Sequence, residues 1–205
     1  MPSHYAASEL LIILVALWTA RVFWRQNMGH CALGILLFGT AATLGAVKFG
    51  LGVRHESFIA LHQLASQFGG LVGVMLLTHQ LMTSSDILQK WVPRHRGFAA
   101  LVALVAFVLP LARMPLFLIW SLGLIVLCAA RTPQIALAAP VKAAAAAIML
   151  LNVLVLRQAA WLTPAINWHV FHIVVAIWLL AICALLTGPW ARVVDQNIKS
   201  ASLRR

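Results

Sequence analysis

Almost the whole chain is divided into apolar runs of membrane-crossing length, and this restricts the fold more than any motif in it. A helical span needs about 20 predominantly apolar residues. The runs cover residues 8–24, 30–48, 57–82, 97–112, 114–130, 137–156 and 167–187. They predict an all-α, integral membrane, seven-transmembrane-helix bundle, with residues 1–205 forming a single membrane domain. Hydrophobic residues make up 63% and charged ones 9%, with a mean hydropathy of +0.96, so no sizeable soluble domain remains. The net charge of +11 comes from basic residues standing singly between apolar runs. That pattern belongs to loops beside anionic lipid, and nucleic-acid binding is set aside. The opening MPSHYAASEL lacks a basic segment ahead of the first run, so that run is expected to stay as a span.

Orientation follows from lysine and arginine. With the N-terminus outside, the inside segments hold Arg21, Arg25, Lys90, Arg94, Arg96, Arg131, Lys142, Arg192, Lys199, Arg204 and Arg205, against Lys48, Arg54, Arg113 and Arg157 outside. The positive-inside rule therefore predicts the N-terminus outside and the C-terminus cytoplasmic, in a multi-pass protein of the plasma or inner membrane. Cys31, Cys128 and Cys183 then fall toward the reducing side, and their spacing supports neither a disulfide framework nor a thiolate metal site. Arg113 to Pro115, reading RMP, predicts a tight turn between the fourth and fifth spans. The alanine run Ala143 to Ala147 predicts a close helix contact.

The same orientation gathers polar residues. The last span opens NWHVFHIV, with His169 and His172 about 60° apart on one face. The third opens with His55 and Glu56 and carries His62. His62 and His172 both lie about 7 Å below the mouths of their spans. Lys48, Arg54, Asn167, His4 and Glu9 fall at the same outer end, whereas His30, His79 and His95 fall at the cytoplasmic end and read as interfacial. Ionisable residues at membrane depth mark functional sites. Along the third span His55, Ile59, His62, Ser66, Gly69 and Gly73 share a stripe, in which Gly69, Gly70 and Gly73 read as a packing seam. Most tryptophans, Trp168 and Trp178 included, read as interfacial anchors.

A catalytic zinc takes three protein ligands and leaves one position for water. His62, His169 and His172 are the expected ligands, with Glu56 or His55 acting on the bound water. Lys48 and Arg54, with Asn167 nearby, are expected to receive an anionic headgroup. The His pair in WHVFHIV, the early-span His62 and the seven-span topology resemble the CREST superfamily of membrane hydrolases, which includes the alkaline ceramidases and the progestin and adipoQ receptors. The resemblance implies an intramembrane zinc held by three histidines and hydrolysis of an amide or ester bond in a membrane lipid. His172 would match the second histidine of the family's terminal motif, His62 the early-span ligand, and Ser66 the family's serine. The pair here is spaced by three residues where the family uses four, and no aspartate lies in any span.

Two other classes fit the same residues. A single haem b between His62 and His169 or His172 would make the chain an electron carrier. A solute transporter would use Lys48, Glu9 and Asn152 along a path, although Asn152 reads more simply as an interhelical hydrogen bond. A retinal protein is disfavoured, because the seventh span has no lysine.

Overall fold

The structure is a computed structural model that describes residues 3–83, 88, 90–131 and 137–202, with backbone alone for Arg131 and residues 188–202. Among the described residues there are seven α-helices and no strand: α1 Tyr5–Arg25, α2 Gly29–Gly50, α3 Glu56–Thr83, α4 Val92–Val108, α5 Arg113–Arg131, α6 Ala139–Leu154 and α7 Pro164–Ser202. Six helical stretches are long and apolar enough to cross a membrane. The one that falls short is α4, whose 17 residues rise about 25 Å, less than a typical hydrocarbon core of about 30 Å.

The helices form a ring that leaves α4 outside. Contacts run from α1 to α2 to α3 to α5 to α6 to α7 and back to α1, while α4 lies against α3 and barely touches α5. The turn expected at Arg113–Pro115 sits earlier: Leu109 breaks α4, Pro110–Ala112 make one 3-10 turn, and Arg113 is already helical. Proline is tolerated in a first helical turn, where its missing N–H has no intrahelical partner to lose, so Pro115 starts α5 instead of interrupting it.

Small residues set the ring's closest approach. A Cβ placed on Gly34 of α2 would stand 2.7 Å from the Gly73 carbonyl oxygen, and one on Gly73 would meet the Gly34 oxygen at 2.8 Å. The seam read from α3 is therefore tight at Gly73, whereas Gly69 and Gly70 make ordinary contacts with Leu37 and Phe38. Trp178 is fully buried in the ring; its Nε1–H donates to the Ala146 carbonyl at 3.1 Å, and Phe38 meets it edge-on. That places the alanine run of α6 against α7 and makes Trp178 a core residue, not an interfacial anchor. Asn152 donates from Nδ2 to the Phe171 carbonyl at 2.9 Å, the interhelical bond its position suggested.

The three histidines at the lower end, opposite the start of α1, are joined rather than independently interfacial. Arg96 Nε–H donates to His79 Nε2 at 3.3 Å, so that nitrogen is unprotonated. The proton of His79 therefore sits on Nδ1 and is donated to His95 Nδ1 at 3.0 Å. His30 packs edge-on against His79, and Trp120 against His95. The chain ties α3 to α4. His79→Phe removes the middle of it, so the detergent-solubilised variant is expected to lose about 1–3 kcal/mol; a thermal melt indistinguishable from wild type would contradict this.

Candidate functional site

At the upper end, where α1, α3, α5 and α7 begin, the ring lines a half-open cavity of about 1060 Å³. This is at the large end of the range for small-molecule sites. Its polar wall carries Glu9, Lys48, His62 and His172; Phe38, Phe117, Met149 and Val153 supply apolar wall.

Lys48 is placed by the way α2 ends. Gly52 adopts φ +65° and Val53 N–H donates back to the Lys48 carbonyl at 3.0 Å, a closure that favours glycine. The Lys48 side chain is only 7% exposed, with its ammonium 5.1 Å from the Phe49 ring centroid. Among the described residues no carboxylate lies within salt-bridge distance of it.

Glu9, 2% exposed in the second turn of α1, faces His172 instead: its Oε1 is 3.3 Å from His172 Nε2. A side chain on Gly45 of α2 would collide with the Glu9 carboxylate, so the missing Cβ makes room for the charge. The other His172 nitrogen, Nδ1, is 2.6 Å from the Trp168 carbonyl oxygen. A carbonyl can only accept, so Nδ1 carries a proton. The contact at Nε2 then needs one further proton, shared by the pair as either an imidazolium–carboxylate ion pair or a neutral imidazole–carboxylic acid pair. Tyr5, Phe49 and Trp168 pack over this corner, with Tyr5 stacked on Trp168 at 5.1 Å and Phe49 edge-on to both. Trp168 is thus part of the site's aromatic cover.

His169 does not join the cavity wall. Its Nδ1 is 3.1 Å from Ser8 Oγ, and Ser8 donates its own hydroxyl proton to the Tyr5 carbonyl at 3.2 Å. The ring therefore serves as donor in an α1–α7 contact, with His4 beside it. His62, 8% exposed, does line the cavity and has a buried Nδ1 with no hydrogen-bond partner. Ser66 lies on the same wall and donates to the His62 backbone carbonyl at 2.8 Å. Asn167 is also on the wall, with Nδ2 bonded to the Ala159 carbonyl at 3.3 Å. Arg54, His55 and Glu56 are exposed and outside the lining. The loop residues expected to act on a bound water or receive a headgroup are not brought to the cavity.

The expected zinc ligands do not fit one ion. His169 lies off the cavity wall with its Nδ1 turned to Ser8, both nitrogens of His172 are engaged, and His62 alone of the three lines the cavity with a buried, unpartnered Nδ1. Among the described residues no group of three or more His, Cys, Asp or Glu side chains converges as a metal site. For a haem opposite His62, His172 has both nitrogens engaged and His169 lies off the cavity wall.

Sequence reasoning placed Glu9 at this end and gave it a role only in a transport path, and it read Arg113 only as an outer charge in a turn. Glu9 was detectable as a carboxylate inside an apolar run. Arg113 donates from Nε to the Ala106 carbonyl at 2.9 Å, from Nη2 to Phe107 at 3.4 Å and from Nη1 to Gln67 Oε1 at 3.2 Å. It holds the last turn of α4 and the side of α3 to the head of α5, a cation at a helix C-terminus where the dipole favours it. Comparisons with protein-family models, curated proteins and solved structures give no match to this chain.

Proposed function

We propose that the chain is a multi-pass membrane protein that takes a lipid-like amphiphile into this cavity, head among the polar residues and chain along the apolar wall. The observation that carries the reading is a large cavity among helices apolar enough to cross a membrane, its apolar wall interrupted by Glu9, Lys48, His62 and His172. Buried ionisable groups in a span are costly unless they serve a ligand or one another. The distribution of basic residues supports placing this end at the outer face, with α4 counted as the seventh span, so that access is from the outer leaflet.

Hydrolysis of an ester or amide near the head is the reaction that His62 supports. The His62 side chain lines the cavity with its Nδ1 buried and unpartnered, so a rotation of the ring brings that nitrogen to a water there, and Lys48 can stabilise the oxyanion that forms. The resemblance of WHVFHIV to the terminal motif of the CREST hydrolases points to the same reaction class, but no step through a metal is assigned.

The test is binding and turnover of fluorescent long-chain esters and amides by the purified protein in nanodiscs. Ala41→Trp, which narrows the cavity, should weaken binding by about tenfold or more; His62→Gln should keep binding and lower turnover by about 10²-fold or more. Binding unchanged by Ala41→Trp would refute the cavity as the site. Binding without product in the wild type would refute the hydrolase reading alone.

A further inference from the structure

We infer that the amphiphile this cavity takes has an anionic head held by Lys48, and that a proton on the Glu9–His172 pair strengthens its binding. This deepens the amphiphile-binding reading and rests on it. Lys48 is more than nine-tenths buried, lines the cavity and has no carboxylate within salt-bridge distance among the described residues. Such an ammonium attracts an anion strongly in a low-dielectric wall. The carboxylate on the same wall, Glu9, is committed to His172 at 3.3 Å.

Whether Glu9 competes for Lys48 depends on one proton. With it, the Glu9–His172 pair is neutral overall and Lys48 is left to the ligand. Without it, the pair carries a net negative charge on the same wall, opposing an anionic head and offering Lys48 a rival. Lys48, Glu9, His172 and His62 all line the same cavity. The other charged or titratable groups facing the pair are His62 from α3, Arg113 at the head of α5 and Arg157 beyond α6, all on the cavity wall, with His169 behind it on α7. Proton and anion therefore favour each other's binding, and the coupling is reciprocal.

The probe is a long-chain alkyl sulfonate, which stays ionised across the pH range, beside the neutral alcohol of equal length. Binding to the full chain in neutral-phospholipid nanodiscs is measured by calorimetry from pH 5 to 9, in buffers of different ionisation enthalpy. The sulfonate should bind more tightly than the alcohol, with affinity rising as pH falls by up to about tenfold per unit and up to one proton taken up. Glu9→Gln/His172→Gln, whose folding is checked by thermal melt, should bind the sulfonate with no pH dependence and no proton uptake. Lys48→Met, checked in the same way, should lose the preference for sulfonate over alcohol. Equal binding of sulfonate and alcohol would overturn the anionic head, and wild-type binding independent of pH would overturn the coupling. Proton uptake persisting in the double variant would move the proton to another group and overturn its assignment. If neither amphiphile binds the wild type, the amphiphile-binding reading fails as well.

Discussion

Replacing Gly73 by leucine should leave no folded protein recoverable in mild detergent, whereas Gly69→Ala should melt within about 0.5 kcal/mol of wild type. The two glycines are one helical turn apart on α3. At Gly73 an added Cβ would stand 2.8 Å from the Gly34 carbonyl oxygen and 2.7 Å from the Phe38 ring; at Gly69 the nearest atom, the Leu37 oxygen, is 3.7 Å away. The Phe38 ring can swing, but the Gly34 carbonyl is backbone and can yield only if α2 and α3 separate. Overpacking by a few carbons costs about 1–3 kcal/mol even where side chains adjust, so Gly73→Ala is expected near the top of that range and leucine beyond it. In lipid, where apolar burial gives helices little drive to associate, close backbone packing holds them together. The check is fluorescence-detected size-exclusion chromatography after heating. A monodisperse Gly73→Leu peak that melts like wild type would show that α2 and α3 are not held by this contact.

Glu9→Ala is expected to destabilise the bundle by on the order of 3 kcal/mol, and Glu9→Met/His172→Phe to recover most of that loss. Removing Glu9 alone leaves His172 Nε2 buried without the partner that shares its proton, in a corner closed by Tyr5, Phe49 and Trp168. Replacing both members by apolar groups of similar size removes the unpaired polar atom together with its partner, a change that is often nearly neutral. The Glu9→Met/His172→Phe variant should still bind an anionic amphiphile but without pH dependence, so stability and the proton coupling separate. Melting temperatures of the single and double variants, measured side by side, decide the matter. If the double variant is no more stable than Glu9→Ala, the Glu9–His172 contact is not what that residue contributes.

Much of the fold is written locally. Each helix follows an apolar run, with limits mostly within a few residues of the hydropathy windows, because a backbone in hydrocarbon has to satisfy its own hydrogen bonds and a helix does so without reference to any other segment. The departures between α4 and α5 have local causes too. Leu109 and Pro110 end α4 sooner than hydropathy alone implies, and Arg113 caps that end instead of sitting in a turn. The convergence of His62, Lys48, Glu9 and His172 on one end was also legible, since alternating helix direction assigns each residue to an end.

Which of those residues share a wall was decided by tertiary structure alone. His169 and His172 are neighbours on one face of α7, yet one meets Ser8 outside the cavity and the other meets Glu9 on its wall. Helical periodicity fixes an angle around one axis, but it says nothing about how that helix is rotated against α1. His30, His79 and His95 are dispersed over three helices and joined only by tertiary contacts, a hydrogen bond and an edge-on ring contact. By itself the sequence determined the spans and the end at which their polar residues gather. The ring order, the exclusion of α4 and the pairing of Glu9 with His172 were decided by contacts between helices, such as Gly45 against Glu9 and Gly34 against Gly73, whose geometry depends on both partners at once.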